Sequence, residues 1–206
     1  MSDALTAPLI GISRHRLATD GKGVTTLVAF HGCPLHCKYC LNDQCHDQEK
    51  IFRKVTPFQL LDELMIDNLY FLATDGGVCF GGGEPLLYSE FISEFCSHKV
   101  PKWKVTLETS LNVPLKHLMR VEPYINQYII DIKDINPNIY HEYTGNDNRQ
   151  TLDNLRWLLN EGMADNIIVR LPNIPNYNNP EDIVRSKAIL IEMGVIHIDE
   201  FTYKLR

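Results

Sequence analysis

The chain has 206 residues, of which 44% are hydrophobic and 22% charged, and a formal net charge of −6. This length fits one domain with a sizeable core, and the apolar content excludes a disordered chain. The acidic balance argues against nucleic acid as the main partner, because phosphate contacts need a basic face. The sequence contains no run of about 18 apolar residues, so no membrane span is predicted. The N-terminal residues lack the pattern of a secretory signal.

The first predicted elements surround a cysteine-rich loop. Residues 9–17 predict an extended lead-in, and the apolar, β-branched residues 24–31 predict the first strand. A loop over residues 32–48 follows this strand. The pattern Thr-Pro-x-Gln at residues 56–59 is a capping box with proline at the first helical position. It predicts one helix that ends before Asp75.

Strands and helices alternate through the rest of the chain. Further strands are predicted at residues 78–80, 103–108, 128–132, 167–171 and 195–203. Helices are predicted at residues 89–97, 114–120, 151–162 (with Thr151 as its cap) and 179–194. This alternation predicts a parallel sheet with crossover helices, and six units are too few to close an eight-stranded barrel. We therefore expect an α/β fold, a partial, open (β/α)6 TIM-like barrel, in a single domain over residues 1–206 with a short C-terminal segment.

Three cysteines stand close together after the first predicted strand. Cys33, Cys37 and Cys40 have Cys-x3-Cys-x2-Cys spacing. Three thiolates on one short loop can occupy three corners of a [4Fe–4S] cluster, which usually takes four cysteines. One iron would then stay open for another ligand. Cysteines used in this way belong in a reducing compartment, so we expect a cytoplasmic protein.

Three further cysteines need separate interpretations. Cys45 lies in the same loop, and together with the three cysteines of the motif it could form a tetrahedral zinc site. A zinc site would leave the glycine-rich stretch described next unexplained, so we prefer Cys45 as a free thiol near the cluster. Cys79 and Cys96 fall in apolar strand and helix patterns, which predicts buried thiols.

Polar residues follow the ends of several predicted strands. The stretches are Gly-Gly-Gly-Glu-Pro at 81–85, Glu-Thr-Ser at 108–110 and Asp-Ile-Lys at 131–133, and Arg170 lies in the fifth predicted strand. The carboxyl ends of parallel strands are where α/β folds place ligands. These residues therefore predict a ligand site at one edge of the sheet.

Two of these motifs carry a family resemblance. The cysteine motif has an aromatic residue, Tyr39, before its third cysteine, and together with residues 81–85 it resembles the motifs of the radical S-adenosylmethionine (SAM) superfamily. Within that superfamily, residues 9–204 resemble the glycyl-radical-enzyme activases. The resemblance implies that the cysteines of the motif hold a [4Fe–4S] cluster and that its open iron chelates SAM. It further implies an oxidoreductase that cleaves SAM reductively to methionine and a 5′-deoxyadenosyl radical.

The resemblance also implies which residues contact SAM. The cysteine loop would contact the adenine and the glycine motif the methionine part, and the residues carried over are Tyr39, Leu41, Gly81, Gly82, Gly83 and Glu84. A monovalent cation beside the SAM carboxylate would be held near Glu108, Thr109 and Asp131. Lys133 and Arg170 would be positive partners of carboxylate and ribose; their alternative role is ion pairing with neighbouring carboxylates. For Ser110, a ribose contact and a backbone-capping hydroxyl are equally supported.

The implied partners are proteins. The radical would abstract hydrogen from a glycine of a partner glycyl radical enzyme, with flavodoxin or ferredoxin as electron donor. The chain departs from the activase pattern at Thr25, Ala29 and Lys204, where activases have a basic residue, a large apolar residue and a SAM-contacting histidine. Two alternatives stay open: a radical SAM enzyme that modifies a small molecule or ribosomal peptide, and a zinc-stabilised binding module without catalysis.

Overall fold

A computed structural model describes residues 4–17 and 19–203. The strands are β1 Ala7–Leu17, β2 Val24–Phe30, β3 Arg53–Val55, β4 Gly77–Gly82, β5 Lys104–Thr109, β6 Gln127–Asp131, β7 Ile167–Asn173 and β8 His197–Thr202. The α-helices are α1 Pro57–Leu64, α2 Asn68–Thr74, α3 Ser89–His98, α4 Leu115–Val121, α5 Pro137–Thr144, α6 Arg149–Asn160 and α7 Pro180–Glu192. The predicted α/β class with an open, mostly parallel sheet is confirmed.

The chain divides into two compact units. The first consists of Met1–Cys33, Asn42–Glu108 and Lys116–Gln127, and the second of Pro34–Leu41, Thr109–Leu115 and Tyr128–Arg206. The prediction of a single domain over the whole chain stays a prediction. Within the described part of the chain, no helix has the length and apolar character needed to cross a membrane.

The first unit has the strand order β3-β1-β2-β4-β5. Strand β4 is parallel to both β2 and β5, whereas β1 is antiparallel to β2 and β3. Its core is rich in aromatic rings: Phe30 lies 5.7 Å from Phe80 and 5.8 Å from Phe91 between ring centroids. Strand β4 is buried almost throughout, as expected of a parallel strand covered on both faces.

The predicted capping box is present, but the helix that it starts is interrupted. Thr56 and Gln59 exchange side-chain to backbone hydrogen bonds at the start of α1. A 3-10 turn, Met65–Asp67, then separates α1 from α2, so the prediction of one continuous helix was wrong. The reason is Asp67, which is 1% exposed and accepts a hydrogen bond from the Thr26 hydroxyl at 2.9 Å. Turning this carboxylate inward ends the regular helix.

The second unit has the strand order β6-β7-β8, with all neighbours parallel. Helix α6 begins at Arg149, so Thr151 is not its cap as predicted. Thr151 is the third residue of α6, and its hydroxyl donates to the Ser110 carbonyl at 3.0 Å. Helix α5 was not predicted, although Asn136 as its cap and Gly145 in the left-handed region after it were available signals.

Candidate functional site

Helix α5 holds the loop that carries Cys37. The His36 amide donates to the Thr144 carbonyl at 2.8 Å, and the Lys38 amide donates to the Tyr143 carbonyl at 3.1 Å. Both carbonyls lie at the C-terminal end of α5, where helices leave acceptors unpaired. The backbone is therefore fixed on both sides of Cys37.

The structure separates the cysteines by burial. All six are thiols rather than disulfides; the three of the motif are half-buried, and Cys45, Cys79 and Cys96 are buried. The prediction of buried thiols at positions 79 and 96 is confirmed. Among residues 4–17 and 19–203, no three His, Cys, Asp or Glu side chains are grouped to hold a single metal ion. Half-buried thiols fit the donor chemistry of an iron–sulfur cluster, whose ligands are cysteine thiolates.

A buried lysine lies near Cys37 in the second unit. Lys133 is 6% exposed, and its Nζ lies 3.0 Å from Asp131 Oδ2 and 2.9 Å from the Tyr203 hydroxyl. Burial alone would lower the pKa of Lys133, but the charge of Asp131, followed by Tyr203 and Cys37, outweighs it and raises the pKa above its ordinary value. Lys133 is therefore a fixed cation, and the alternative of ion pairing with a neighbouring carboxylate is observed.

The same cation acts on the thiol of the cysteine loop. Burial raises the pKa of Cys37, and the Lys133 charge opposes that rise. A cysteine ligates metal as the thiolate. Lys133 thus favours the form of Cys37 that a cluster needs.

The second unit also contains the predicted residues Thr109, Ser110, Arg170, Tyr39 and Leu41. The Thr109 hydroxyl accepts from the Leu111 amide at 2.9 Å, and the Ser110 hydroxyl accepts from the Asn112 amide at 3.3 Å. Arg170 in β7 stands opposite Asp131 in β6. The bond to the Asn112 amide shows that the Ser110 hydroxyl has the predicted backbone-capping role.

The two predicted residues of the cysteine loop differ in exposure. Tyr39 is half-buried and Leu41 is 62% exposed.

The glycine motif ends β4 in the first unit. Gly82 has φ +99°, and a Cβ there would lie 2.7 Å from the Ala29 Cα. A Cβ on Gly83 would lie 2.1 Å from the Gly32 carbonyl oxygen. Glycine is therefore required at both positions by the close approach of the preceding chain, whatever ligand binds. The Gly82 carbonyl also accepts from Asn42 Nδ2 at 3.0 Å, a contact that sequence reasoning missed.

Glu84 and Glu108, the acidic residues that the sequence predicted for the site in this unit, are placed differently. Glu84 is fully buried, and its carboxylate accepts from the Leu86 amide at 3.1 Å, which caps the turn Pro85–Tyr88. Glu108 Oε2 faces Gly81, where a Cβ would come within 3.1 Å of it. The first unit thus brings Glu108 next to the glycine motif.

Sequence reasoning also missed several residues around the cysteine loop. They are Tyr143, Tyr203, Asn176 and Tyr177. Asn176 donates from Nδ2 to the Tyr39 hydroxyl at 3.2 Å, and Tyr177 lies 5.7 Å from Tyr39 between ring centroids. Lys204, where the activase pattern has a histidine, lies outside the described residues.

Asn154 in α6 supports the loop that follows Ser110. Its Nδ2 donates to the carbonyls of Leu111 and Val113, both at 2.8 Å, and Leu111 has φ +57°. We expect Asn154→Leu to lower the free energy of unfolding by about 2–4 kcal/mol, because two buried acceptors lose their donor next to a left-handed residue. Urea denaturation followed by circular dichroism measures the loss.

The matched control for this substitution is Asp153→Ala. Asp153 is the preceding residue of α6, and its side chain is 69% exposed. Its replacement should change stability by no more than about 0.5 kcal/mol. Equal denaturation midpoints for the two variants would show that Asn154 does not support the loop.

Comparisons with known proteins agree with these features. The family model described as the radical SAM superfamily matches residues 27–186. The pyruvate formate-lyase 2-activating enzyme of Escherichia coli (strain K12) is 29% identical over 229 residues, covering 95% of this chain and 77% of that protein. The (2S)-3-sulfopropanediol dehydratase activating enzyme of Klebsiella oxytoca is 37% identical over 177 residues, covering 84% of this chain and 55% of that protein.

Solved structures share the fold at low sequence identity. SuiB of Streptococcus suis bound to its precursor peptide SuiA matches with a TM-score of 0.66 at 15% identity, over 84% of this chain and 37% of SuiB. The SuiB structure bound to SAM matches with a TM-score of 0.64 at 14% identity, over 87% of this chain and 42% of SuiB. A [4Fe–4S] cluster and SAM are the cofactors of this family, and the half-buried thiols of the cysteine motif suit the cluster. Since the family model matches well over half of its length, the chain belongs to the radical SAM superfamily and is an enzyme of that type.

Proposed function

We propose that this enzyme is an activase that abstracts a hydrogen atom from a glycine of a partner glycyl radical enzyme. The observation that carries the proposal is the set of curated relatives. Those reported above are named as activating enzymes of other enzymes, at 29% and 37% identity. The motif resemblance at residues 81–85, 108–110 and 131–133 supports the same assignment.

In this proposal the cysteine motif provides the cluster ligands. Cys33, Cys37 and Cys40 would hold the [4Fe–4S] cluster, and SAM would bind at the iron that has no cysteine ligand. The bound cofactors supply the one-electron chemistry that removes the hydrogen atom. The role of the protein is to position the cofactors and exclude water from them.

The residues that we propose to contact SAM are those that the family resemblance assigned. The cysteine loop contacts the adenine, the glycine motif contacts the methionine part, and Lys133 and Arg170 are positive partners of carboxylate and ribose. The position of Lys133 supports this role, because its bonds to Asp131 and Tyr203 fix the ammonium group that would meet the carboxylate. A monovalent cation near Glu108, Thr109 and Asp131, and flavodoxin or ferredoxin as electron donor, remain proposals.

The test is formation of a glycyl radical on a partner protein. Reduced, cluster-loaded enzyme is mixed with SAM and each glycyl radical enzyme encoded in the same cell, and the doublet signal is sought by electron paramagnetic resonance. We expect the doublet with one of them. SAM cleavage without a doublet on any partner would overturn the activase assignment in favour of a small-molecule or peptide substrate. The zinc-module alternative is not retained, because the chain is a radical SAM enzyme.

Replacing Lys133 tests the proposed SAM carboxylate contact. We expect Lys133→Met to weaken SAM binding about tenfold, the loss of one charge-assisted contact. The raised pKa of Lys133 means that its charge is lost only as the pH rises above the ordinary lysine value of about 10.4. The ratio of the two Kd values should therefore be constant from pH 6.5 to 9, as measured by equilibrium binding.

The control is Lys187→Met in α7. Lys187 is an exposed lysine paired with Glu200 in the same unit, and its loss should leave the SAM Kd unchanged. A Kd for Lys133→Met equal to that of this control would contradict the proposed contact. A ratio that collapses below pH 9 would contradict the raised pKa.

A further inference from the structure

Asn42 follows the cysteine motif and binds the glycine motif through its side chain. Its Nδ2 donates to the Gly82 carbonyl at 3.0 Å, across 40 residues of sequence. Asn42 also precedes the 3-10 turn Asp43–His46, a position from which asparagine side chains commonly cap a helix. In the part of the chain that the structure describes, its side chain makes no capping bond to that turn. The amide therefore holds a distant segment and not its own turn.

The peptide group between Gly82 and Gly83 is bonded at both of its ends. Asn42 binds its carbonyl oxygen, and its nitrogen, the Gly83 amide, donates to the Phe30 carbonyl at 2.9 Å. A peptide group between two glycines can turn over readily, because neither residue has a Cβ that restricts its dihedral angles. The C=O and N–H of a trans peptide point in opposite directions. The two bonds therefore select one orientation of a peptide group that its own residues leave open.

Backbone bonds join the same strand end to the cysteine loop. The Glu84 amide donates to the Gly32 carbonyl at 2.8 Å, next to Cys33. The Gly32 amide donates to the Cys45 carbonyl at 2.8 Å, and the Cys45 amide donates to the Asn42 carbonyl at 2.9 Å. These bonds do not depend on a side chain. A substitution at position 42 can therefore remove the bond to the glycine motif and leave the backbone bonds of the loop in place.

We propose that Asn42 is a positioning residue for SAM, because it fixes the Gly82 carbonyl and so pre-forms the strand end that receives the methionine part. This inference rests on the proposed contact between the glycine motif and SAM. Gly82 and Gly83 are half-buried, so part of this backbone is open to a ligand. A site that is fixed before binding costs less to order when the ligand arrives, and its affinity is higher for that reason.

The experiment measures equilibrium binding of SAM to cluster-loaded Asn42→Leu, without any partner protein. Leucine is close to asparagine in size and removes the donor. We expect the Kd for SAM to rise about fivefold, the effect of one lost hydrogen bond. Iron content should stay at the wild-type level, because the cysteines and the backbone bonds of the loop are unchanged. A Kd equal to that of the wild type would overturn the inference.

Hydrogen exchange of the Gly83 amide gives a second readout that needs neither cluster nor SAM. We expect this amide to exchange about fivefold faster in cluster-free Asn42→Leu, as measured by nuclear magnetic resonance, because the peptide group turns over more often. Unchanged exchange would show that Asn42 does not fix the peptide group. Faster exchange with an unchanged Kd would show instead that the glycine motif does not contact SAM.

Asn42→His tests whether the donor itself matters. The Nδ1 of histidine lies as many bonds from the Cα as the Nδ2 of asparagine and can also donate. We therefore expect a Kd for SAM within about twofold of the wild type, less than the value of one hydrogen bond. A rise as large as that of Asn42→Leu would contradict the proposed role of the donor.

Asn126→Leu is the matched control in the same unit. The Asn126 Oδ1 accepts from the Val105 amide at 2.9 Å, near the start of β5. Its loss should lower stability and leave the Kd for SAM unchanged. An equal rise in Kd for Asn126→Leu and Asn42→Leu would mean general loosening of the first unit and would contradict the inference. Failure of the activase assignment is seen separately, as the absence of a doublet on every partner, since SAM binding is measured without one.

Discussion

Cys37→Ala is expected to lose the cluster and all SAM cleavage. If the three cysteines of the motif are the only protein ligands of a cluster with four irons, as proposed, removal of one thiolate would leave two irons without protein ligands. Cys37 has a half-buried thiol near the Lys133 charge, and the backbone on both sides of it is bonded to α5. We expect iron content to fall to background after anaerobic reconstitution, and 5′-deoxyadenosine formation to fall by at least about 10³-fold.

Cys96→Ala is the control that distinguishes loss of a cluster ligand from loss of any buried thiol. Cys96 lies in α3, is 7% exposed, and burial raises its pKa to about 12, which makes it a poor ligand and nucleophile. This variant should keep full iron content and cleavage activity, with a stability loss of about 1 kcal/mol. Full activity of Cys37→Ala, or equal iron loss in both variants, would contradict the ligand assignment.

Gly83→Ala is expected to destabilise the first unit strongly. The new Cβ would meet the Gly32 carbonyl oxygen at 2.1 Å, and this neighbour is backbone that cannot rotate away. Relief would distort two backbone hydrogen bonds, from the Gly83 amide to the Phe30 carbonyl at 2.9 Å and from the Glu84 amide to the Gly32 carbonyl at 2.8 Å. We expect a loss of about 3 kcal/mol or more in the free energy of unfolding, measured by urea denaturation of cluster-free protein.

Gly11→Ala is the matched control in the same unit. A Cβ on Gly11 in β1 meets nothing within 4 Å, so its stability should stay within about 0.5 kcal/mol of wild type. Measuring without cluster or SAM distinguishes a packing requirement from a ligand contact. If Gly83→Ala unfolds at the same urea concentration as Gly11→Ala, the glycine is not needed for packing and only its proposed SAM contact remains.

Local patterns explain why much of the fold was predictable. The capping box at Thr56 lies within four consecutive residues, so the sequence alone predicted it. Helix α5 was missed because its buried residues, Tyr140, Tyr143 and Thr144, carry hydroxyl groups and do not form an apolar helical pattern. The break after α1 was missed because it depends on Asp67 pairing with Thr26, 41 residues away.

The sequence by itself determined the family of this protein. The cysteine motif and the glycine motif are each a few consecutive residues, so they predict a cluster loop and a tight strand end without knowledge of the fold, and the tight strand end is observed at Gly82 and Gly83. Only the tertiary structure decided which distant residues the predicted site residues contact. Lys133 binds the Tyr203 hydroxyl across 70 residues of sequence. The amides of His36 and Lys38, on either side of Cys37, bind carbonyls of α5, a helix that the sequence analysis did not predict. Such pairs are set by how strands and helices pack, which the order of residues along the chain does not display.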